Sequence, residues 1–398
     1  MKRIILSLFL LISVTLPAAA SPQTMLYDQV WKLINSKYVD ETNNHQNWHK
    51  WRKRYDAHIK TNEDAYVAID TMLASLNDPY TKFLDPKEFK EETSSIKGSL
   101  KGIGVQIGVR DGKLLIIAPM EDTPGEKAGL KAEDEILEID GKSTKGITVD
   151  KAADLIRGEE GTIVKLLIKR KNVPNKLYSV QRAKIEIKSV STKLPLEGMK
   201  LDNRIGYIRL SSFISQNAID EFKKALAGYT STGKKGYIID LRSNPGGLLT
   251  NAITLSDMFL NGGIIVSTVD RMGYKDTIRA GRQYVCNKPI VILINGGSAS
   301  ASEIFSGAMK DNNRALIVGE KSFGKGLVQE INKLPGGSGC NITIQKYLTP
   351  SGRDIHKKGI KPDITVSFTD ADIKAKKDVQ LLKAEKLLIK MITYQPKH

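Results

Sequence analysis

The sequence feature that most constrains the fold is a strand–helix–strand pattern in residues 290–330. The branched apolar run from Ile290 to Ile294 predicts a strand buried on both faces, and the glycines that follow predict a sharp turn. A second strand is predicted from Ala315 to Val318. Between the two strands lies one apolar stripe at helical spacing, formed by Ala301, Ile304, Phe305, Ala308 and Met309. Such a βαβ unit requires parallel strands whose carboxyl ends share one edge of the sheet.

Residues with nucleophilic or basic side chains follow these two strands. Ser298, Ser300 and Ser302 lie in the turn after the first strand, and Lys325 lies between two glycines after the second. Because both groups follow carboxyl ends of parallel strands, we expect them to meet in space. A serine at a strand-to-helix turn exposes its hydroxyl, and the helix N-terminus favours the negative charge that develops when it attacks a carbonyl.

Two other interpretations of these residues need no such chemistry. Ser300 and Glu303 fit the Ser-x-x-Glu capping box, which would only satisfy amides at the start of the helix. Gly319 to Lys325 fits most of the phosphate-binding pattern G-x-x-x-x-G-K-[ST]. Its last position is Gly326, which has no hydroxyl for Mg²⁺, so a nucleotide site is not predicted.

A serine nucleophile needs a base, and the sequence favours a lysine over a histidine. None of the five histidines lies at a predicted strand end or glycine turn; they are His45, His49, His58, His356 and His398. A buried lysine with a lowered pKa can accept the serine proton instead. The two-residue period of a strand would place Lys325 and Gln329 on one face, where the Gln329 amide could orient the amine.

The segment from Gly236 to Gly247 predicts an oxyanion hole. Its apolar run predicts another buried strand that ends in the turn Asn244-Pro-Gly246-Gly247. Glycines can aim a backbone N–H at a substrate carbonyl without obstruction from a side chain. The residues alone leave open which of the three serines would attack.

Three motifs in this order resemble the C-terminal processing peptidases, also called tail-specific proteases: Arg242-Ser-Asn-Pro-Gly-Gly247, Ser298-Ala-Ser-Ala-Ser-Glu303 and Gly319-x-x-Ser-x-Gly-Lys-x-x-x-Gln329. The resemblance implies that Ser300 is the nucleophile, Lys325 is the general base and Gln329 orients the lysine. It also implies that the amides of Gly246 and Ala301 form the oxyanion hole, with no cofactor and no metal. The implied fold is an α+β or α/β multidomain protein: a crotonase/Clp-protease-like core with an inserted PDZ domain and N-terminal helices.

Residues 94–184 change to short strands and turns and resemble a PDZ domain. Two Asp-Gly pairs predict tight turns, and a short helix follows that carries Ala152 and Ile156. The loop Gly102-Ile103-Gly104-Val105 would capture a peptide's C-terminal carboxylate through its amides. The alternative is a plain small β-domain. Glu133 stands where the family usually has a turn glycine, and Arg157 is a candidate for relaying peptide binding to the core.

The predicted domain order is a signal peptide (residues 1–20), a helical region (21–93), the PDZ domain (94–184), the catalytic core (185–369) and a basic helical tail (370–398). The signal has Lys2 and Arg3, an apolar core and an Ala-Ala-Ala cleavage site, so the protein should work outside the cytoplasm; an uncleaved anchor is the alternative. That location permits a disulfide between Cys286 and Cys340, and free thiols are the alternative.

The net charge of +17 at pH 7 bears on the binding partners. The lysines are scattered and aromatic residues make up only 6%, so nucleic acid is not predicted. Attraction to lipid or cell wall is left open, as are a regulatory adaptor and a homo-oligomer. The predicted activity is that of a secreted serine endopeptidase acting on protein or peptide substrates with apolar C-terminal tails. An inert PDZ scaffold and a non-proteolytic crotonase-type enzyme are the alternatives.

Overall fold

The computed structural model describes residues 21–120, 122–186, 188–281 and 285–394. The signal-peptide prediction lies outside these residues. The chain forms two compact units, one comprising Met1–Pro86 and Gln329–Thr343, and a larger one comprising Lys87–Val328 and Ile344–His398.

A six-stranded sheet forms the centre of the larger unit. Its strands, in spatial order, are Val190–Ser191, Ile205–Leu210, Gly236–Asp240, Ile290–Ile294, Leu316–Gly319 and Ile364–Thr365. The first pairing is antiparallel and the others are parallel. Ile292 pairs with Ile317, which confirms the βαβ unit predicted from the sequence. The carboxyl ends of the parallel strands therefore lie at one edge, where the turns that carry the candidate residues begin.

Helices cover both faces of this sheet because each central strand is apolar at consecutive positions. Alternate residues such as Ile239 and Ile292 pack in one core cluster, whereas Ile238 and Val291 pack in another. The first cluster is covered by Ala218–Ser231, Leu249–Asp257 and Ala301–Asp311. The second is covered by the C-terminal helix Val379–Thr393, whose Leu381, Ala384 and Leu388 are fully buried. The lysine-rich tail thus contributes a helix to the core.

The PDZ-like segment has an antiparallel sheet with its own core. Its strands are Val105–Arg110, Lys113–Pro119, Glu135–Ile139, Lys142–Ser143, Ile163–Arg170 and Val173–Gln181, and its helices are Pro124–Lys127 and Val149–Ile156. Both predicted Asp-Gly turns connect antiparallel strands. Glu133 adopts a left-handed φ of 67°, so a glutamate takes the conformation that a turn glycine adopts without strain.

Six further helices and strands of the larger unit lie outside these two sheets. The helix Pro86–Ile96 precedes a ribbon in which Ser99–Gly102 pairs with Ala183–Glu186. Ile264–Asp270 and Lys275–Arg279 form a hairpin, and the first of these strands also pairs with residues 345–348. The short helix Asp370–Lys374 precedes the C-terminal helix.

The smaller unit contains the helices Pro22–Lys37 and Asn62–Ala74, as the apolar spacing predicts. Its other elements are the 3₁₀ turns Trp48–Trp51 and Pro335–Gly337 and the strand Lys82–Leu84, which pairs with Gly339–Asn341 of the strand Gly339–Leu348. The tryptophans are buried packing residues: Trp31 Nε1 donates to the Trp48 carbonyl at 3.0 Å. The spacing of Met25, Val30, Ile34 and Tyr38 predicts one buried face of the first helix. Val30, Ile34 and Tyr38 are buried, but the prediction is wrong at Met25, which is 60% exposed because Leu26 and Tyr27 face the core instead.

The two cysteines are buried and free, which corresponds to the free-thiol alternative. Burial raises the pKa of the Cys286 thiol, and it raises that of Cys340 to about 12. Within the described ranges, no helix has both the length and the apolar character needed to cross a bilayer.

Candidate active site

Ser300 has a strained backbone at the N-cap of the helix Ala301–Asp311. Its φ is 52° and its ψ is −115°, a combination that costs a residue with a Cβ about 1–3 kcal/mol. The strand Ile290–Ile294 ends six residues earlier in a glycine turn, so Ser300 lies at a strand-to-helix elbow. Such an elbow exposes a serine hydroxyl and surrounds it with the unpaired amides of a helix start.

The neighbouring serines have their hydroxyls committed to backbone carbonyls. Ser298 Oγ donates to the Leu241 carbonyl at 2.8 Å, and Ser302 Oγ donates to the Asn244 carbonyl at 3.0 Å. Both side chains are fully buried, whereas Ser300 is partly exposed. These two serines therefore join the turn that follows Gly236–Asp240 to the turn that carries Ser300.

Glu303 connects the serine turn to the lysine segment through a buried carboxylate. Its Oε2 accepts the backbone N–H of Ser300 at 2.9 Å and that of Lys325 at 2.8 Å. Its Oε1 accepts the Ser322 hydroxyl at 2.5 Å and the Gly324 N–H at 2.7 Å. One carboxylate oxygen thus holds the backbones of both candidate residues, which joins the segments that follow the two strands of the βαβ unit.

Burial and hydrogen bonding act in opposite directions on this carboxyl group. Only 1% of Glu303 is exposed, and burial raises its pKa above the usual value, while the four donors lower it. The capping-box interpretation correctly predicts the bond from Glu303 to the Ser300 amide. It does not predict the three bonds to residues 322–325, which extend the role of Glu303 beyond capping.

A buried tyrosine supports the other side of the elbow. Tyr347 Oη donates to the Ser300 carbonyl at 3.2 Å, and its ring is 1% exposed. Burial raises the pKa of this phenol well above its usual range, so the hydroxyl stays protonated and able to donate. The backbone of Ser300 is therefore held at its N–H by Glu303 and at its carbonyl by Tyr347.

The glycine turn lies against Ser300 so closely that it admits no side chain. A Cβ placed on Gly246, whose φ is +98°, would lie 2.8 Å from Ser300 Cβ and 2.9 Å from the Ala301 nitrogen. The Gly246 N–H donates to Asn244 Oδ1 at 2.9 Å. The structure therefore brings Gly246, Ser300 and Ala301 together, with the Gly246 amide already hydrogen-bonded within its own turn.

Lys325 lies in an irregular segment, and the following strand Leu327–Lys333 begins two residues later. The strand alternation that was expected to align Lys325 with Gln329 therefore does not extend to the lysine. Gln329 belongs to the smaller unit, where its Nε2 donates to Thr343 Oγ1 at 3.3 Å. The backbone of His356 packs on Gly326, because a Cβ there would lie 2.8 Å from the His356 nitrogen. No local pattern in the sequence predicts a histidine beside this segment.

The PDZ-like segment contains a groove of about 260 Å³ at its predicted carboxylate loop. The groove lining includes Gly102, Ile103, Gly104, Val105, Ile107, Met120, Val149, Ala153, Ile156 and Arg157. The helix Val149–Ile156 and the strand Val105–Arg110 thus form two apolar walls, and the loop residues and Arg157 line the same groove. An extended peptide with an apolar end has the shape and polarity that such a groove accepts.

Comparison with known proteins identifies the family. The profile of peptidase family S41 matches residues 204–366, and that of the PDZ domain matches residues 115–170. A carboxyl-terminal-processing protease of Synechocystis is 40% identical over 378 residues, which covers 93% of this chain and 88% of the relative. The chain belongs to the carboxyl-terminal-processing proteases. It is thus a serine-type peptidase with a PDZ domain, as the three motifs suggested.

Other members of the carboxyl-terminal-processing protease family agree with this assignment. A chloroplastic carboxyl-terminal-processing peptidase of Arabidopsis thaliana is 34% identical, covering 90% of this chain and 73% of the relative. The solved structure of a photosystem II D1 C-terminal processing protease aligns with a TM-score of 0.58 at 32% identity, covering 87% of this chain and 94% of that one. Membership favours the peptidase prediction over the crotonase-type alternative.

Proposed function

We propose that this carboxyl-terminal-processing protease cleaves peptide bonds with Ser300 as nucleophile and Lys325 as general base. The observation that carries the proposal is the Glu303 carboxylate, because one of its oxygens binds the backbone amides of both residues. The strained elbow at Ser300 supports the choice of this serine, as do the committed hydroxyls of Ser298 and Ser302.

In the proposed reaction, Lys325 Nζ takes the proton of Ser300 Oγ as that oxygen attacks the carbonyl carbon of the substrate. The tetrahedral intermediate collapses when the C–N bond breaks, and the lysine ammonium returns its proton to the departing amine. An ester joins Ser300 to the N-terminal part of the substrate. Water then attacks this ester, with Lys325 again accepting and returning a proton, which frees a carboxylic acid and the serine.

The oxyanion of the intermediate would accept hydrogen bonds from the amides of Ala301 and Gly246. Ala301 is the first residue of its helix, so its N–H has no acceptor within that helix. The Gly246 N–H donates to Asn244 Oδ1, so this amide would have to exchange or share its acceptor when the oxyanion forms. Gln329 is proposed to orient the lysine, which rests on the family resemblance alone.

The PDZ groove is proposed to capture the apolar C-terminal tail of the substrate. Ile103 is buried and Gly104 has a φ of 71°, so this loop turns sharply and can present successive amides to a terminal carboxylate. The apolar walls of the groove would accept the last side chains of the tail. Binding there would hold an upstream peptide bond near Ser300 at a high local concentration.

Arg157 is proposed to relay occupancy of the groove toward the active site. It lines the groove and its Nη1 bonds Glu91 Oε1 at 3.1 Å, on the helix Pro86–Ile96. The Ile96 carbonyl, at the end of that helix, accepts the Gln216 N–H at 2.9 Å. Three residues before Gln216, the Phe213 N–H donates to the Gly246 carbonyl at 2.8 Å. Backbone bonds thus connect the Glu91 helix to the glycine turn.

The relay is tested by peptide stimulation of cleavage. Arg157→Ala should reduce the stimulation given by a peptide with an apolar C-terminus, while the peptide still binds. The matched control is Ile107→Val, because Ile107 also lines the groove but lies on the strand Val105–Arg110. Unchanged stimulation of cleavage in Arg157→Ala would refute the proposed relay.

The dyad is tested by degradation of an unstructured reporter with an apolar C-terminus. Ser300→Ala and Lys325→Ala should bind the reporter and lose cleavage by at least about 10³-fold. Lys321→Ala is the matched control, because this exposed lysine lies in the same segment. Equal cleavage by wild type and both dyad variants would refute the proposal, whereas binding without cleavage in wild type would favour the inert scaffold.

Secretion with removal of residues 1–20 is also proposed, on the composition of that segment. A regulatory adaptor, a homo-oligomer and association with membrane or cell wall stay predictions from the sequence. The domain boundaries at residues 93, 184 and 369 likewise stay predictions. Mass measurement of the exported protein would test the cleavage site directly.

A further inference from the structure

A buried ionic cluster lies behind the glycine turn and includes the start of the C-terminal helix. Arg242 is 7% exposed and stands four residues before Gly246. Asp240 is fully buried, and Asp378, the N-cap of the helix Val379–Thr393, is 6% exposed. Buried charges are unfavourable unless they are paired and fully hydrogen-bonded, and forming this cluster costs desolvation free energy.

The guanidinium of Arg242 uses all of its donors within this cluster. Nε and Nη2 bind the Asp240 carboxylate at 3.0 and 2.6 Å, and Nη1 and Nη2 bind the Asp378 carboxylate at 2.9 and 2.8 Å. Nη1 also donates to Gln380 Oε1 at 3.2 Å. Two bidentate pairs fix the plane of a guanidinium in a way that a single contact cannot.

Asp378 and Gln380 are themselves held by the C-terminal segment. Asp378 Oδ1 accepts the Leu381 N–H at 2.9 Å, and Gln380 Nε2 donates to the Val366 carbonyl at 2.8 Å. These groups approach Arg242 from a segment 136 residues further along the chain. This cluster fixes Arg242, which directly precedes the turn of residues 243–247, and Asn295 fixes the first residue of the turn, because its Oδ1 accepts the Ser243 N–H at 2.7 Å.

We propose that Asp378 and Gln380 are positioning residues for catalysis: through Arg242 they hold the turn of residues 243–247 against Ser300, so that the C-terminal helix is a part of the oxyanion site. This inference rests on the proposed function of Ser300 and Gly246. It assigns the basic helical tail a role in the reaction. The positioning acts on the transition state, because the turn contacts the oxyanion rather than the substrate's side chains.

The test measures kcat, KM and the affinity for a peptide boronic acid, which forms a tetrahedral adduct with the nucleophile. Asp378→Asn keeps the shape of the side chain but weakens the bidentate pair. We expect kcat and boronate affinity to fall about 10- to 100-fold, with KM within about twofold. In Gln380→Ala, kcat and boronate affinity should fall only about threefold, because Arg242 loses one neutral hydrogen-bond acceptor.

Glu385→Gln is the matched control on the same helix. Glu385 Oε1 accepts the Asp202 N–H at 2.7 Å, so this change weakens the attachment of the helix away from Arg242. It should leave kcat unchanged. A merely structural role for Asp378 would lower the melting temperature in both variants and reduce the amount of active enzyme without altering kcat per active site.

The conservative variant Arg242→Lys keeps the test decisive if Asp378→Asn is poorly folded. Arg242→Lys should reproduce the loss of kcat, and its combination with Asp378→Asn should add little further loss, because both changes break one interaction. Unchanged kcat in folded Asp378→Asn, or an equal loss in Glu385→Gln, would overturn the inference. Full activity in Ser300→Ala, measured in the same assay, would instead refute the proposed function.

Discussion

Replacing Glu303 by glutamine should separate catalysis from stability. The carboxylate accepts four hydrogen bonds, two at each oxygen. Glutamine keeps one acceptor oxygen and places an NH₂ group where the other stood, so two of the four donors would face a donor. Each unpaired buried donor costs about 1–3 kcal/mol, which makes the unchanged geometry about 2–6 kcal/mol less favourable.

The neutral amide of glutamine also removes the free-energy cost of burying an ionised carboxylate. Burial raises the pKa of Glu303, which means that the ionised carboxylate is disfavoured where it lies. We therefore expect the melting temperature of Glu303→Gln to stay within about 2 °C of wild type, which for a chain of this length corresponds to about 1–2 kcal/mol. The backbones of Ser300 and Lys325 should nevertheless separate, and a displacement of about 1 Å costs on the order of 10²-fold in rate.

The assay is kcat for a reporter peptide, with thermal unfolding measured in parallel. Glu221→Gln is the matched control, because its carboxylate accepts the N–H groups of Ser189 and Val190 at 2.7 and 3.0 Å, away from the Ser300 turn. That variant should keep the wild-type kcat. A folded Glu303→Gln protein with kcat within about threefold of wild type would refute the idea that this carboxylate aligns the dyad.

Three further predictions concern other parts of the account. In Gly246→Ala, kcat should fall about 10²-fold, because the new Cβ would lie 2.6 Å from the Ala299 carbonyl oxygen. The control Gly262→Ala should stay active, because Gly262 has the same φ of +98° but open space around its Cβ position. Equal activities of the two variants would contradict the close approach at Gly246. The raised pKa of Glu303 favours the neutral form in the folded state, so its stabilising contribution is complete below about pH 4.5 and is lost as pH rises through the folded pKa. The free energy of unfolding of wild type should therefore fall relative to Glu303→Gln over that range in denaturant titrations, and a constant difference would contradict the linkage. Cys286 and Cys340 should resist alkylation by iodoacetamide at pH 7.5 in the native protein and react after unfolding, because burial raises both thiol pKa values, and rapid native labelling would show that the thiols are accessible.

The central fold was predictable because its signal is local. The run Ile290–Ile294 is apolar at every position, the helix stripe has the helical period, and glycines separate the elements. Each of these features acts over fewer than about 20 residues, so neighbouring residues determine it. The Met25 error has a local origin too: Met25 lies five residues before Val30, which is off the helical period, whereas its apolar neighbours Leu26 and Tyr27 are on it and face the core.

The geometry of the site was only partly predictable because it depends on distant contacts. The sequence predicts that Ser300 and Lys325 lie at one sheet edge, but it indicates only a capping role for Glu303. The bonds from Glu303 to residues 322–325 depend on how the loop folds back. The contact between Arg242 and Asp378 spans 136 residues and has no periodic signature. An isolated Asp at a helix start reads as an ordinary cap.

The most direct test of the central claim is to trap the acyl-enzyme and locate it by mass spectrometry. A reporter peptide ester is mixed with the protein, the reaction is quenched in acid within one turnover, and the digest is searched for the acyl mass. The account predicts the adduct on Ser300 in wild type and its absence in Ser300→Ala. An adduct on Ser298 or Ser302, or cleavage of the ester without any adduct on Ser300, would contradict it.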